Sequence, residues 1–117
     1  MEIENISKAL VPSTFMEEKA FTIVESDDPS ITDCVEVHIR ESNKGKKYKQ
    51  YSLAVRGVHP EDLTNEVQDY LINYLFLRDL QSIIKKHGND TQKWIGKELM
   101  INTVEDGEYL RWRLVPT

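Results

Sequence analysis

At 117 residues and a formal net charge of −5, the chain has room for one domain with a single modest core. An apolar fraction of 39% and a charged fraction of 30% fit a soluble globular protein, and no apolar run approaches the ~20 residues of a membrane-spanning helix. The acidic average argues against a nucleic-acid partner, although an average can hide a basic patch.

Met1 to Asn5 is acidic and lacks the basic-then-apolar order of a signal peptide. Cys34 is the only cysteine and cannot form an internal disulfide, so a reducing cytoplasm is the expected setting. Residues 1–14 read as a loose N-terminal arm with one helical turn around Ser7 to Leu10, and residues 15–117 as a single domain. A first strand is expected over Lys19 to Glu25, followed by the turn signal Asp27-Asp28-Pro29-Ser30. Cys34 to Glu41 alternates, with Val35, Val37 and Ile39 on one face and Glu36, His38 and Arg40 on the other. Asn43-Lys44-Gly45-Lys46 marks a hairpin tip, and a third strand runs from Lys47 to Arg56. Pairing Ile39 with Tyr51 and Val37 with Leu53 keeps the apolar residues together and leaves His38, Arg40, Tyr48, Gln50 and Ser52 pointing the other way.

Pro60, Glu61 and Asp62 suit the start of a helix. Leu63, Val67, Tyr70, Tyr74, Leu77 and Ile84 follow helical spacing, and Lys85, Lys86, His87 and Gly88 suit its end. One long helix is therefore expected from Glu61 to His87. Within Tyr70 to Leu77, seven of eight residues are apolar, more than one helix face can bury. Either the helix breaks there, or Ile72, Leu75 and Phe76 meet another subunit, as in a homodimer. The last segment, Trp94 to Val115, reads as a hairpin turning at Asp106-Gly107. It pairs Thr103 with Leu110, Ile101 with Trp112 and Leu99 with Leu114 in the core, leaving Tyr109, Arg111 and Arg113 outside. Trp94 and Trp112 are expected in the core.

The expected class is mainly β with one long helix (α+β), in the order β-β-β-α-β-β. A helix between the third and fourth of five strands is the order of the OB barrel, whose ligand face centres on its second and third strands. Segment 36–57 carries Arg40, Lys44, Lys46, Lys47, Lys49 and Arg56 against Glu36 and Glu41, a net +4 that leaves −9 for the rest. Lys44, Lys46, Lys47 and Lys49 crowd one tip around Tyr48, an arrangement that suits phosphates and a stacked base. A bland alternative is an edge hairpin blunted with lysine against aggregation. Arg111, Arg113 and Tyr109 make a second stacking and phosphate surface, unless they pair with Glu98, Glu105, Asp106 or Glu108. His38, His59 and His87 lie on separate elements without metal spacing, and Cys34 has no evident activating partner. No phosphate-cradling glycine loop or nucleophile elbow is present, so neither a cofactor nor a catalytic activity is expected.

The stretch Ile84-Lys-Lys-His-Gly-Asn-Asp-Thr-Gln-Lys-Trp-Ile-Gly-Lys97, with the closing Arg111-Trp-Arg113-Leu-Val-Pro116, resembles a pattern in small phage- and prophage-encoded OB-like proteins, or archaeal viral ones. In these a helix ends, a polar turn follows, and a Trp-Ile-Gly-Lys-like motif opens a strand. The resemblance covers 84–116, and 15–56 in outline. It implies an OB-like small barrel in a setting of phage DNA replication and recombination, without implying a mechanism. The combined expectation is a non-catalytic, single-stranded DNA- or RNA-binding protein using His38, Arg40, Lys44, Lys46, Lys47, Tyr48, Lys49, Tyr109, Arg111 and Arg113. The alternative is an interaction or assembly module that uses the apolar helix face to bind itself or another protein.

Overall fold

The structure is a computed structural model that describes residues 8–12, 15, 17–28, 30, 32–61 and 63–117. It is mainly β with one helix. In chain order the elements are β1 (Lys8–Ala9), β2 (Lys19–Ile23), β3 (Val35–Glu41), β4 (Lys47–Val58), β5 (Val67–Leu75), α1 (Leu77–His87), a 3-10 turn at Thr91–Trp94, β6 (Glu98–Asp106) and β7 (Tyr109–Pro116). The sheet runs β1-β5-β4-β2-β6-β7, and β3 branches from β4. The 12-residue β4 organises the molecule. One edge pairs first with β3, over Lys47–Leu53, and then with β2, at Val55 and Arg56; the other edge pairs with β5.

The expected closed five-stranded barrel is not formed. Among the described residues no ladder joins β7 to β5 or β1, and the sheet stays open. Helix α1 instead packs on β7, burying Leu80 and Ile83, and its Ser82 hydroxyl donates to the Leu114 carbonyl. The core gathers Phe15, Phe21, Ile23, Leu53, Val55, Tyr70, Ile72, Leu75, Leu80, Ile83, Leu99, Ile101, Leu114 and both tryptophans. Trp94 donates its indole N–H to the Gly88 carbonyl at 2.9 Å, so its polar handle is satisfied inside.

The largest departure from expectation is the helix. It does not span Glu61 to His87: the chain forms β5 first, and only Leu77–His87 is helical. The apolar surplus of Tyr70 to Leu77 is divided: a strand flanked by β4 and β1 buries Tyr70, Ile72 and Leu75, while Tyr74, Phe76 and Leu77 stay exposed. Val55 opposes Tyr70, and Leu53 opposes Ile72. The helical spacing of Leu63, Val67, Tyr70 and Tyr74 was coincidental: Leu63, Val67 and Tyr74 are exposed. Ile72 and Leu75 are fully buried core residues, so they do not form a surface interface, whereas Phe76 remains at the surface. The end of the helix matches its sequence signals, with Lys85, Lys86 and His87 in the last turn and the Gly88 N–H bonded to Ile84 O at 2.8 Å.

The N-terminal arm is also docked where it is described. Lys8 and Ala9 pair in parallel with Tyr70 and Leu71, Leu10 N–H donates to Leu71 O, and Leu10 is buried. The expected helical turn around Ser7 to Leu10 is therefore not formed at Lys8–Ala9, which is strand, and the rest of the expected arm, residues 1–7, 13 and 14, lies outside the described residues. Both hairpins keep the expected faces but shift register by two residues. Ile39 pairs with Lys49 and Val37 with Tyr51, because Gly45 takes φ +75° at the last position of a three-residue loop. Thr103 pairs with Trp112 and Ile101 with Leu114, because Gly107 (φ +65°) opens the turn rather than closing it. An even slip leaves every side chain on its original face.

Candidate nucleic-acid interface

The outer face of β3 and β4 is built by strict alternation. Glu36, His38 and Arg40 oppose Ser52, Gln50 and Tyr48, while Val35 and Leu53 point into the core. A polar network anchors the inner end of this face. Ser52, buried, donates to Asn73 Oδ1 at 2.8 Å, and His38 Nε2 lies 3.1 Å from Ser52 Oγ. Glu36 Oε2 is 3.5 Å from the same imidazole nitrogen, and its Oε1 accepts from the Ser26 hydroxyl at 3.3 Å. This trio is not a nucleophilic relay. The carboxylate and the hydroxyl share one ring nitrogen, whereas a relay needs them on opposite nitrogens.

Asn73 holds a β-bulge. Between the pairs Tyr51↔Leu75 and Leu53↔Ile72, β4 contributes only Ser52 while β5 contributes Asn73 and Tyr74. Regular alternation from Ile72 would send Tyr74 into the core and Leu75 outward. The extra residue reverses this: Leu75 is fully buried and Tyr74 is 69% exposed. The cost is a positive φ of +61° at Tyr74, a strained conformation for a bulky side chain. The strain is thus spent on presenting an aromatic ring to solvent.

The bulge leads directly into the start of α1. Phe76 donates its N–H to Asp79 Oδ2 at 2.7 Å, which fixes the first turn. Its ring stacks on Tyr48 at 6.4 Å between centroids, and the Arg78 guanidinium lies 5.5 Å from the ring centroid. Phe76 therefore ties the β3–β4 hairpin to the helix. From β7, Tyr109, Arg111 and Arg113 project away from the core on alternate positions between Trp112 and Leu114.

These side chains line three recesses that share walls. The first, about 150 Å³, is bounded by His38, Arg40, Gln50, Asn73 and Tyr74. Tyr74 also walls the second, about 340 Å³, with Phe76, Arg78, Tyr109 and Arg111. Arg78 and Arg111 in turn wall the third, about 460 Å³, which ends at Arg113 between α1 and β7. His38, Arg40, Tyr109, Arg111 and Arg113 thus lie along one path, with Tyr48 beside it through Phe76. Lys44, Lys46, Lys47 and Lys49 do not line it. They are exposed around the hairpin tip, and among the described residues no ion pair engages them. Arg56 is tied to Asp69 at 2.6 Å, and this contact raises its already high pKa.

Sequence reasoning missed Tyr74 and Arg78, because both were read as positions on a long helix. The signal that was available is local: Phe76 followed three residues later by Asp79 is the spacing of a helix start. Cys34 is buried, donates to Thr91 O, and has its thiol pushed up to about 12 by desolvation and by the adjacent Asp33 carboxylate. Among the described residues no group of three or more His, Cys, Asp or Glu side chains converges as for a metal, and no helix is long and apolar enough to cross a membrane. Comparison with family models, with curated proteins and with solved structures finds no match.

Proposed function

We propose that this protein binds single-stranded nucleic acid, without catalysing a reaction, along the path from Arg40 past Tyr74 and Phe76 to Arg111 and Arg113. The observation that carries this reading is the continuity of the three recesses, in which exposed aromatics alternate with arginines. Stacking rings beside cationic groups are what a flexible strand needs: the bases find π-faces and the phosphates find charge. Of the acids along the path, Asp79 is engaged by the Phe76 N–H and Glu36 by Ser26 and His38, while Asp106 stands exposed at the wall of the middle recess.

The fold supports the same reading. Taken without β1 and β3, the chain runs β2, β4, β5, α1, β6, β7, with the helix between the third and fourth of five strands. We read this as an OB-like module opened between β5 and β7, with the β3–β4 hairpin as an elaboration. In such a module the ligand lies on the second and third strands beside the loop of the last hairpin. Those are β4, β5 and the Asp106–Tyr109 tip, whose end residues wall the middle recess. A role in mobile-element DNA metabolism is the setting implied by the resemblance of segment 84–116.

Fluorescence anisotropy with a labelled oligothymidylate, titrated over a range of salt, tests the proposal. Four phosphate contacts predict a log–log slope of about −3, from roughly −0.7 per contact on single strands. Arg111→Ala with Arg113→Ala should lower the slope magnitude by about 1.4 on the same scale. No binding even at low salt, or binding indifferent to that double substitution, would falsify the assignment.

A further inference from the structure

Strand β3 pairs with β4 on one side only, and among the described residues nothing pairs with its other edge. A free seven-residue edge is normally blunted by charged side chains, above all lysine, or by proline or a bulge. This one carries charges at Glu36, Arg40 and Glu41 but none of the stronger devices. The lysines of the hairpin sit at its tip and on β4, and Val35–Glu41 contains no lysine and no proline. Its ladder with β4 is unbroken from Val35↔Leu53 to Glu41↔Lys47. On its inner face Val37 and Ile39 are 55% and 61% exposed, because the hairpin extends beyond the core.

The hydrogen bonds Ala54 N–H to Cys34 O and Ser42 N–H to Lys46 O set the phase of that ladder. Even-numbered residues of β3 therefore turn their backbone groups toward β4, and Val35, Val37, Ile39 and Glu41 turn theirs outward. An antiparallel copy of the strand centred on His38 brings Val37 opposite Ile39 and Val35 opposite Glu41. These are the residues with outward N–H and C=O groups, so the backbones match. In the same register Glu36 faces Arg40 twice across the two-fold axis, with opposite charges directly paired. The exposed valine and isoleucine of each copy cover those of the other.

We infer that β3 is a homodimerisation edge, at which two copies of this chain join antiparallel about His38 into one continuous sheet. The edge is self-complementary in backbone phase, charge and apolar surface, as an isologous contact requires. The inference stands apart from the nucleic-acid reading. Its geometric consequence is that the outer faces of both hairpins, each with Arg40 and Tyr48, lie on the same side of the joined sheet.

Sedimentation velocity across a wide concentration range tests it. The wild-type chain should shift from one to two chains per particle as concentration rises. Ile39→Pro removes an outward N–H without touching the ladder to β4, and should leave a folded monomer at every concentration. Arg40→Glu sets like charges opposite each other at two symmetric places and should raise the dissociation constant by about tenfold or more. Adding Glu36→Arg to it should restore the dimer. A wild-type monomer throughout, or a dimer that persists in Ile39→Pro, overturns the inference. Failure of the charge swap to rescue overturns the register centred on His38.

Discussion

Gly57 lies in β4 where the strand passes over Phe21. A methyl group built there would sit 2.5 Å, 2.8 Å and 3.0 Å from three carbons of the Phe21 ring. Comfortable carbon–carbon contacts are about 3.5–4.0 Å, so the nearest atom must retreat by about an ångström. The ring has little freedom to do so. It is 1% exposed, with Phe15 at 5.8 Å and Tyr70 at 6.2 Å between centroids. Overpacking of this kind costs about 1–3 kcal/mol, offset by about 0.4–1 kcal/mol from the less flexible unfolded chain. Gly57→Ala should therefore destabilise by about 1–2 kcal/mol and lower Tm by about 4–8 °C, at about 4 °C per kcal/mol for a domain of this size. Circular dichroism melts of the wild type, Gly57→Ala, Phe21→Leu and the double variant form a cycle that isolates the contact. In the Phe21→Leu background, Gly57→Ala should cost clearly less. An equal cost in both backgrounds, or no cost in the wild type, would refute the argument that the aromatic ring is what requires glycine here.

Leu75→Glu places a carboxylate in the core and should prevent folding, detected as loss of the cooperative melt; a folded variant would mean that β5 does not bury this residue. Tyr74→Gly should raise stability by about 1 kcal/mol by relieving the positive φ, while weakening oligonucleotide affinity several-fold through the lost ring. A melt and an anisotropy titration on the same sample read both effects. The Cys34 thiol, raised from its ordinary 9.0 to about 12, stays protonated in the folded protein while the unfolded chain ionises near 9. The associated stability is complete below pH 9 and is lost as pH rises from there toward 12. Chemical denaturation at stepped pH should show that decline in the wild type and a smaller one in Cys34→Ala. A thiol reagent at neutral pH should label Cys34 only as fast as the protein unfolds.

The recesses joined by Tyr74, Arg78 and Arg111 give the molecule one extended polar-aromatic surface, whereas the lysine tip stands apart from it. The two cationic regions are thus separable by experiment. Substitutions at the tip test long-range attraction, and those along the path test contact.

Much of this was legible in the chain itself. Strand alternation assigned His38, Arg40, Tyr48 and Gln50 to one face and Arg111 and Arg113 to another, and the structure keeps both sets together because an even register slip changes partners but not faces. The burial of both tryptophans and the Gly88 helix end likewise follow from local chemistry. Other features depended on distant neighbours. Whether Val67 to Leu75 became helix or strand was decided by β4 on one edge and the docked arm on the other, since its apolar run satisfied both periodicities. Barrel closure turned on α1 taking the place beside β7. The bulge at Asn73 and Tyr74 needs the Ser52 hydroxyl, supplied from 21 residues away in sequence. The candidate path is the clearest case. Arg40, Tyr74, Arg78 and Arg111 come from four separate elements, with Phe76 at the junction of two of them, and only packing brings them side by side. Periodicity is a property of neighbouring residues, which the chain displays directly; a groove is a property of surfaces that meet, and it exists only once the tertiary fold has brought them together.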